Sequence, residues 1–180
     1  MSRQYFADAP YSDPMIASPS AIVATTETAL WTPFQYTPIP ASDARAGKAY
    51  KLTAGGIYST GASGTLTITP RFGNVIGGVT LGASTAQTVP VSLTNEAWFM
   101  EAILVMRTVN NGTATQSTAM LNGAFWGSGA AATAASSGVI AFGGTSGTVD
   151  TTVAAGLWIG WTLSVAGSCT PQNVFWQSLN

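Results

Sequence analysis

Few residues in this chain could carry out catalysis. The sequence contains no histidine, which removes the commonest general base and the commonest metal ligand together. The single cysteine, Cys169, would need a neighbouring base to act as a nucleophile, and its surroundings, Ser-Cys-Thr-Pro, match no nucleophile motif. We therefore interpret Cys169 as a small residue near the start of a strand.

The acidic residues also form no pattern that chemistry would use. Glycosidases need paired carboxylates, but Glu96 and Glu101 are five residues apart and face opposite sides of a strand. Asp150 stands alone among small residues, and no cluster of Asp could hold calcium. The sequence thus predicts no catalytic residue, no metal site and no cofactor, which is typical of a non-enzymatic protein.

Paired glycines recur along the chain, at Gly55-Gly56, Gly77-Gly78 and Gly143-Gly144. No Gly-Lys-Ser/Thr follows any of them, so they do not form a phosphate-binding loop. Glycine adopts positive φ easily, and such pairs are typical of turns and β-bulges.

The 6 tryptophans offer two interpretations. Exposed tryptophan rings could stack on sugars, whereas buried rings would simply build the core, which is the commoner case. Trp158 and Trp161 lie on opposite faces of one strand, and Ile159 and Leu163 share the side of Trp161. We therefore expect Trp158 at the surface or in a subunit contact.

The elements that would position these residues are strands. Residues 65–72 alternate between apolar and polar side chains, and residues 97–109 form a longer strand with both faces partly apolar, which suggests burial on both sides. Asn110-Asn111-Gly112 predicts a type I′ hairpin, with a returning strand over 113–125. Residues 127–147 suggest a loose insertion or a loop with one short strand. About eight to ten strands joined by loops of varied length predict an all-β, jelly-roll-like β-sandwich.

The first 47 residues differ from the rest. They hold most of the 9 prolines, which favour extended backbone, together with more aromatic residues than a disordered tail would carry. We predict an extended N-terminal arm over 1–47, with a possible short strand over 24–31, and a β-sandwich domain over 48–180. The arm either docks on another surface or crosses its own domain. The residues we expect in a contact with a neighbouring subunit are Tyr5, Phe6, Tyr11, Met15 and Ile16.

Charge is scarce in this chain. Charged residues make up 7% and the net charge is -1, against roughly 25% charged residues in ordinary soluble domains. Two interpretations fit: a soluble β-protein covered by Ser and Thr, or a surface that is largely buried in an assembly, which we favour. No basic run suits nucleic acid, and neither a signal peptide nor a membrane segment is evident. We expect synthesis in a cytosol.

Part of the chain resembles virion structural proteins of tailed bacteriophages. The likeness covers roughly residues 46–109 and consists of strand-and-turn patterning. The matching stretches are AGKAYKLTAGG at 46–56, GTLTITPRFG at 64–73, GVTLGAS at 78–84 and VSLTN at 91–95, followed by Trp98 and Arg107–Val109.

The resemblance implies a β-sandwich that serves in the head as a decoration (cement) or minor capsid protein, or in the tail or its fibres, often as a trimer. We expect a homotrimer that binds the major capsid protein at the capsid surface, without nucleic acid or membrane. The alternative is a receptor- or glycan-binding module of a tail fibre. Exposed tryptophans grouped in a concave patch would favour that alternative.

Overall fold

The computed structural model describes residues 25–32, 36–73, 78–110, 112, 117–127 and 139–179. About 68% of these residues lie in strands. The strands are β1 (Thr28–Ala29), β2 (Pro38–Ile39), β3 (Ala49–Thr60), β4 (Gly64–Gly73), β5 (Val79–Thr80), β6 (Gln87–Val89), β7 (Leu93–Thr108), β8 (Ser117–Gly127), β9 (Val139–Val149), β10 (Ala155–Leu163) and β11 (Gly167–Ser178). No helix in this described part is long and apolar enough to cross a membrane.

The strands form two antiparallel sheets that pack face to face. The five-stranded sheet has the order β11-β3-β7-β8-β9. In the six-stranded sheet, β10 and β4 lie in the middle; β1 and β2 pair with β10, and β5 and β6 pair with β4. The predicted all-β sandwich is confirmed. The described strands number eleven rather than eight to ten because four of them have only two or three residues.

Alternation along the strands decides which side chains enter the core. In β4, Leu66, Ile68 and Phe72 are buried, as the pattern predicts. In β7, the buried face consists of Trp98, Met100, Ala102, Leu104 and Met106. The other face of β7 points away from the core, and its apolar residues Phe99 and Ile103 remain exposed.

Two corners carry the chain between the sheets. The β3–β4 corner (61–63) and the β10–β11 corner (164–166) lie side by side, with the Gly61 amide donating to the Ala166 carbonyl at 3.1 Å. As a result β3 pairs with β11 in one sheet while β4 pairs with β10 in the other. This nested arrangement resembles a jelly roll, whereas the β7-β8-β9 meander within one sheet departs from jelly-roll order.

Aromatic rings fill the space between the sheets. The Trp161 ring, from the six-stranded sheet, makes T-shaped contacts with Tyr58 and Phe125, from the five-stranded sheet, at centroid distances of 6.0 and 5.7 Å. Trp98 stacks on Phe125 at 5.8 Å. Edge-to-face and offset pairs of this kind stabilise a core beyond the area they bury, so this cluster ties the two sheets together.

The second half of the chain differs in part from expectation. The strand after β7 begins at Ser117, and of the predicted Asn-Gly turn only Asn110 and Gly112 are described; the Gly112 amide donates to the Asn110 side chain at 3.0 Å. The expected short strand near residue 140 is an 11-residue strand, β9. Its ladder to β8 is interrupted between the Asn122–Gly143 and Met120–Ser146 pairs, and Gly143 and Gly144 both have positive φ, which confirms a glycine bulge.

Residues 28–32 and 36–47 belong to the sandwich. β1 and β2 pair with β10, and the side chains of Leu30, Trp31 and Ile39 are buried in the common core. For this part of the predicted arm, crossing its own domain is the alternative that the structure supports. The chain therefore joins the sandwich about twenty residues before the predicted boundary at 47. Residues 1–24 lie outside the described part.

Candidate interaction surface

The groups considered for catalysis lie apart from one another. The Cys169 thiol is buried between the sheets, and its burial raises the pKa of the thiol well above the ordinary value, so the sulfur stays protonated. Glu96 lies opposite Tyr58 and Glu101 opposite Thr53 along the β3–β7 ladder, which places the two carboxylates on opposite faces as predicted. Among the described residues, no three His, Cys, Asp or Glu side chains are grouped as metal ligands would be.

A small cavity lies beside the turn that leads into β3. Its volume is about 270 Å³ and its described lining is Arg45, Ala46, Gly47 and Lys48. The Lys48 ammonium is bound to the Asp43 carboxylate at 2.5 Å and lies over the Tyr50 ring, 5.2 Å from its centroid. Because the charge of Lys48 is already neutralised and ligand sites usually exceed about 300 Å³, this cavity is a weak candidate for a binding site.

The most distinctive surface is the outer face of the five-stranded sheet. Ladder register places Gly55, Phe99, Trp126 and Val139 in one row across β3, β7, β8 and β9. Residues two apart point the same way in a strand, so Ile103 on β7 shares this side. Phe175 also does, because it pairs with Thr53 on β3. We call these five large side chains the apolar face: Phe99, Ile103, Trp126, Val139 and Phe175.

Each member of the apolar face remains 37–46% exposed. The Phe99 and Trp126 rings contact each other, with centroids 5.5 Å apart. Small residues such as Ala124 and Ala141 lie between the large ones and are partly exposed. The large exposed apolar residues of this sheet therefore share one face, with small residues between some of them.

One ion pair lies within the apolar face. The Lys51 ammonium contacts the Glu101 carboxylate at 2.8 Å, and both side chains are more than a third exposed. Glu101 is the residue between Phe99 and Ile103 on the same side of β7. The pair is neutral as a whole, so the face presents both signs of charge at its centre and no strong field of either sign.

The outer face of the six-stranded sheet is different. Thr67 and Thr162 are Cα partners on it, and Arg71 pairs with Trp158. The Arg71 guanidinium binds the Glu27 carboxylate through two nitrogens and lies 5.6 Å from the Trp158 ring centroid. The bond to Glu27 raises the pKa of Arg71. Polar and charged groups thus cover the apolar residue on this side.

Trp158 is the one predicted contact residue within the described part, and it is not at the surface. It lies on the opposite face from Trp161, as expected, but is only 1% exposed because its outer side is covered, with Arg71 against the ring. The other five predicted contact residues, Tyr5, Phe6, Tyr11, Met15 and Ile16, lie outside the described residues.

Of the 6 tryptophans, Trp126 alone is substantially exposed; the other five are buried. The sequence signal for the apolar face was the two-sided apolar character of 97–109, which pointed to burial on both sides. The described residues bury one side of that strand and leave the other open.

Comparison with known proteins gives no family or relative for this chain: no family model, no curated protein and no solved structure matches it.

Proposed function

We propose that this chain is a non-enzymatic structural protein of a tailed bacteriophage virion. In its most specific form, the proposal is a capsid decoration (cement) protein that forms a homo-oligomer on the head and stabilises the shell through contacts with the major capsid protein. The resemblance of residues 46–109 supports the virion assignment, and the same resemblance supplies the trimer as the expected oligomer.

The observation that carries the proposal is the apolar face. Soluble monomers seldom expose large contiguous apolar surfaces, and those that do usually use them for contacts. Here five large side chains are 37–46% exposed on one sheet, in a chain with only 7% charged residues. Catalysis has no comparable support among the described groups, which are buried, paired or far apart.

The N-terminal residues complete the proposal. Tyr5, Phe6, Tyr11, Met15 and Ile16 are apolar side chains in a proline-rich stretch, and we propose that they contact a neighbouring subunit of the shell. Residue Thr25, where the described chain begins, is exposed. The preceding 24 residues could span up to about 80 Å if fully extended, which is long enough to reach a neighbour.

The test is binding to bacteriophage heads purified without this chain. Full-length protein, a variant lacking residues 1–20, and a Phe99→Thr/Trp126→Thr variant would each be mixed with such heads and sedimented. We expect the full-length chain to sediment with the heads and raise their melting temperature, and the shortened chain to bind more weakly. Heads that neither bind nor gain stability from the full-length chain would overturn the proposal.

The alternative, a receptor- or glycan-binding module of a tail fibre, has less support. Five of the 6 tryptophans are buried, so tryptophans do not form the grouped, exposed patch that sugar stacking would favour. The exposed Phe99–Trp126 ring pair is the only feature in the described residues that suits it. Labelled protein that bound host cells but not heads would favour this alternative over the decoration role.

A further inference from the structure

We infer that the apolar face is covered by the same face of a second copy of this chain, with the two five-stranded sheets stacked across a two-fold axis. The inference rests on the proposed function, because it names the surface through which the proposed homo-oligomer forms.

The outer face of the five-stranded sheet, on which the apolar face lies, has the size of a protein interface. The five strands have at least 11 residues each. At about 4.8 Å between strands and about 3.4 Å per residue, the whole sheet spans roughly 900 Å². A standard interface buries about 800 Å² on each partner. The whole outer face of this sheet is therefore large enough for a dimer contact, with the apolar face as its most hydrophobic part.

The shape and polarity of the face suit a copy of itself. Two stacked sheets usually pack face to face about 10 Å apart, and the mixture of large and small side chains on this face allows interdigitation. The five exposed side chains would form the dehydrated centre of the contact. A different partner would have to supply an apolar surface of this size, whereas a second copy already carries one.

Charge is also self-complementary. Lys51 and Glu101 lie side by side, 2.8 Å apart, within the face. An axis of two-fold symmetry that passes near this pair brings Lys51 of one copy towards Glu101 of the other, so that each charge keeps an opposite partner when water leaves. A strongly acidic or basic partner would gain nothing from a neutral pair, which argues against it.

A two-fold contact of this kind closes after two subunits. It therefore predicts a dimer, or a larger assembly with an even number of subunits, in place of the trimer that the resemblance implies.

The first test is the molar mass of the full chain in solution, measured by light scattering and by sedimentation over a range of concentrations. We expect a dimer whose dissociation constant rises roughly a hundredfold in Phe99→Thr/Trp126→Thr. Threonine keeps the preference for strand at these positions. The matched control is Val91→Thr/Val153→Thr, which changes two exposed apolar residues, 56% and 40% exposed, outside the five-stranded sheet; it leaves the dimer unchanged.

The second test asks whether the partner is the same face. Lys51→Glu makes the centre of the face acidic and Glu101→Lys makes it basic, so each variant alone should dimerise more weakly than the wild type. Mixed in equal amounts, the two should form a mixed dimer. Arg45→Glu, at an exposed turn, is the control for the change in charge and should leave dimerisation unaffected.

The outcomes separate this inference from the proposed function. A monomeric wild-type chain, a dimer that Phe99→Thr/Trp126→Thr leaves intact, or charge variants that fail to recombine would overturn the two-fold contact. Loss of the dimer on deletion of residues 1–20, with the charge variants showing no effect, would show that the N-terminal segment covers the face instead. In any of these cases, binding to heads remains a separate measurement that decides the proposed function.

Discussion

The outer faces of the two sheets have opposite chemistry although the sheets share one core. On the six-stranded sheet, Arg71 and Glu27 bind each other over a buried tryptophan, and threonines surround them. On the five-stranded sheet, the aromatic residues themselves remain at the surface and the ion pair lies among them. The large apolar side chain of one outer face is covered within the chain, whereas those of the other outer face remain exposed.

The two outer faces differ in how far a single ion pair covers their apolar side chains. On the six-stranded sheet, the Arg71–Glu27 pair covers the Trp158 ring and presents charged groups to solvent. On the five-stranded sheet, the Lys51–Glu101 pair is too small to cover five large side chains. Removing apolar area from water is favourable. Covering the outer face of the five-stranded sheet with another surface would therefore lower the free energy.

The comparison is tested most strongly by two tryptophans, one on each outer face. Trp158→Ala should lower the free energy of unfolding by about 3–5 kcal/mol, because a fully buried ring is lost. Trp126→Ala should lower it by less than about 1 kcal/mol in dilute protein, because the ring is partly exposed. Urea unfolding at low concentration measures both values. Equal losses would mean that the two faces are equally integrated in the fold.

Titratable groups in the shared core should make the free energy of unfolding depend on pH. Burial and the nearby Glu96 raise the pKa of Tyr58 from 10.0 to about 12, and burial raises that of Cys169 above 9.0. As pH rises, the unfolded chain loses these protons first, so stability is complete below about pH 9 and falls between pH 9 and about 12.

Urea unfolding over this range of pH measures the effect. The double variant Tyr58→Phe/Cys169→Ala should lose less stability than the wild type between neutral and alkaline pH. The variants differ from the wild type at neutral pH as well, so the quantity to compare is the slope against pH. An unchanged slope would show that other groups control alkaline unfolding.

The two glycines of the bulge in β9, the edge strand of the five-stranded sheet, should differ in their tolerance of substitution. At Gly143, φ is +95° and an added Cβ would meet the Leu121 carbonyl oxygen at 2.2 Å. At Gly144, φ is +85° but the nearest atom is 3.9 Å away. Gly143→Ala should therefore cost about 2–3 kcal/mol and Gly144→Ala about 1 kcal/mol, since the second carries backbone strain alone. Thermal unfolding of the two variants measures the difference, and equal costs would contradict the close approach at Gly143.

Much of the sandwich follows from the sequence because alternation is a local signal. The buried side of β4 was predicted, as were the shared face of Ile159, Trp161 and Leu163 in β10 and a bulge or turn at Gly143-Gly144. For β7 the sequence predicted burial on both sides, and one side is buried. The length of β9 was not predicted, because its Gly-, Ala- and Ser-rich sequence carries little strand signal of its own. Pairing with β8 stabilises the extended conformation of β9, which the local sequence favours only weakly.

The surface was predictable only in part. Two-sided apolar character along β7 indicated burial on both sides, whereas Phe99 and Ile103 on its outer side are 42% and 40% exposed. The burial of Trp158 could not be predicted, because its cover depends on Arg71 reaching Glu27, 44 residues away along the chain. A contact between residues so far apart leaves no trace in periodicity, which reports the face of a strand and not what covers it.

The smallest effects on stability are expected from removing the two ion pairs, and they should differ between the two outer faces. Arg71 makes two bonds to Glu27 and lies on Trp158, and the two charged side chains are 23% and 28% exposed. Lys51 and Glu101 are 35% and 38% exposed and make one contact. Arg71→Ala should therefore cost about 1–2 kcal/mol of unfolding free energy, and Lys51→Ala less than about 1 kcal/mol in dilute protein.

Urea unfolding in low and high salt distinguishes the contributions. Arg71→Lys keeps the charge but loses the planar, two-pronged contact, so it should recover only part of the loss. The effect of Lys51→Ala should shrink in high salt, because exposed charges are screened. If Lys51→Ala destabilised the dilute chain as much as Arg71→Ala, the Lys51–Glu101 pair would be a structural element of the fold. Its place at the centre of an association surface would then lose its main support.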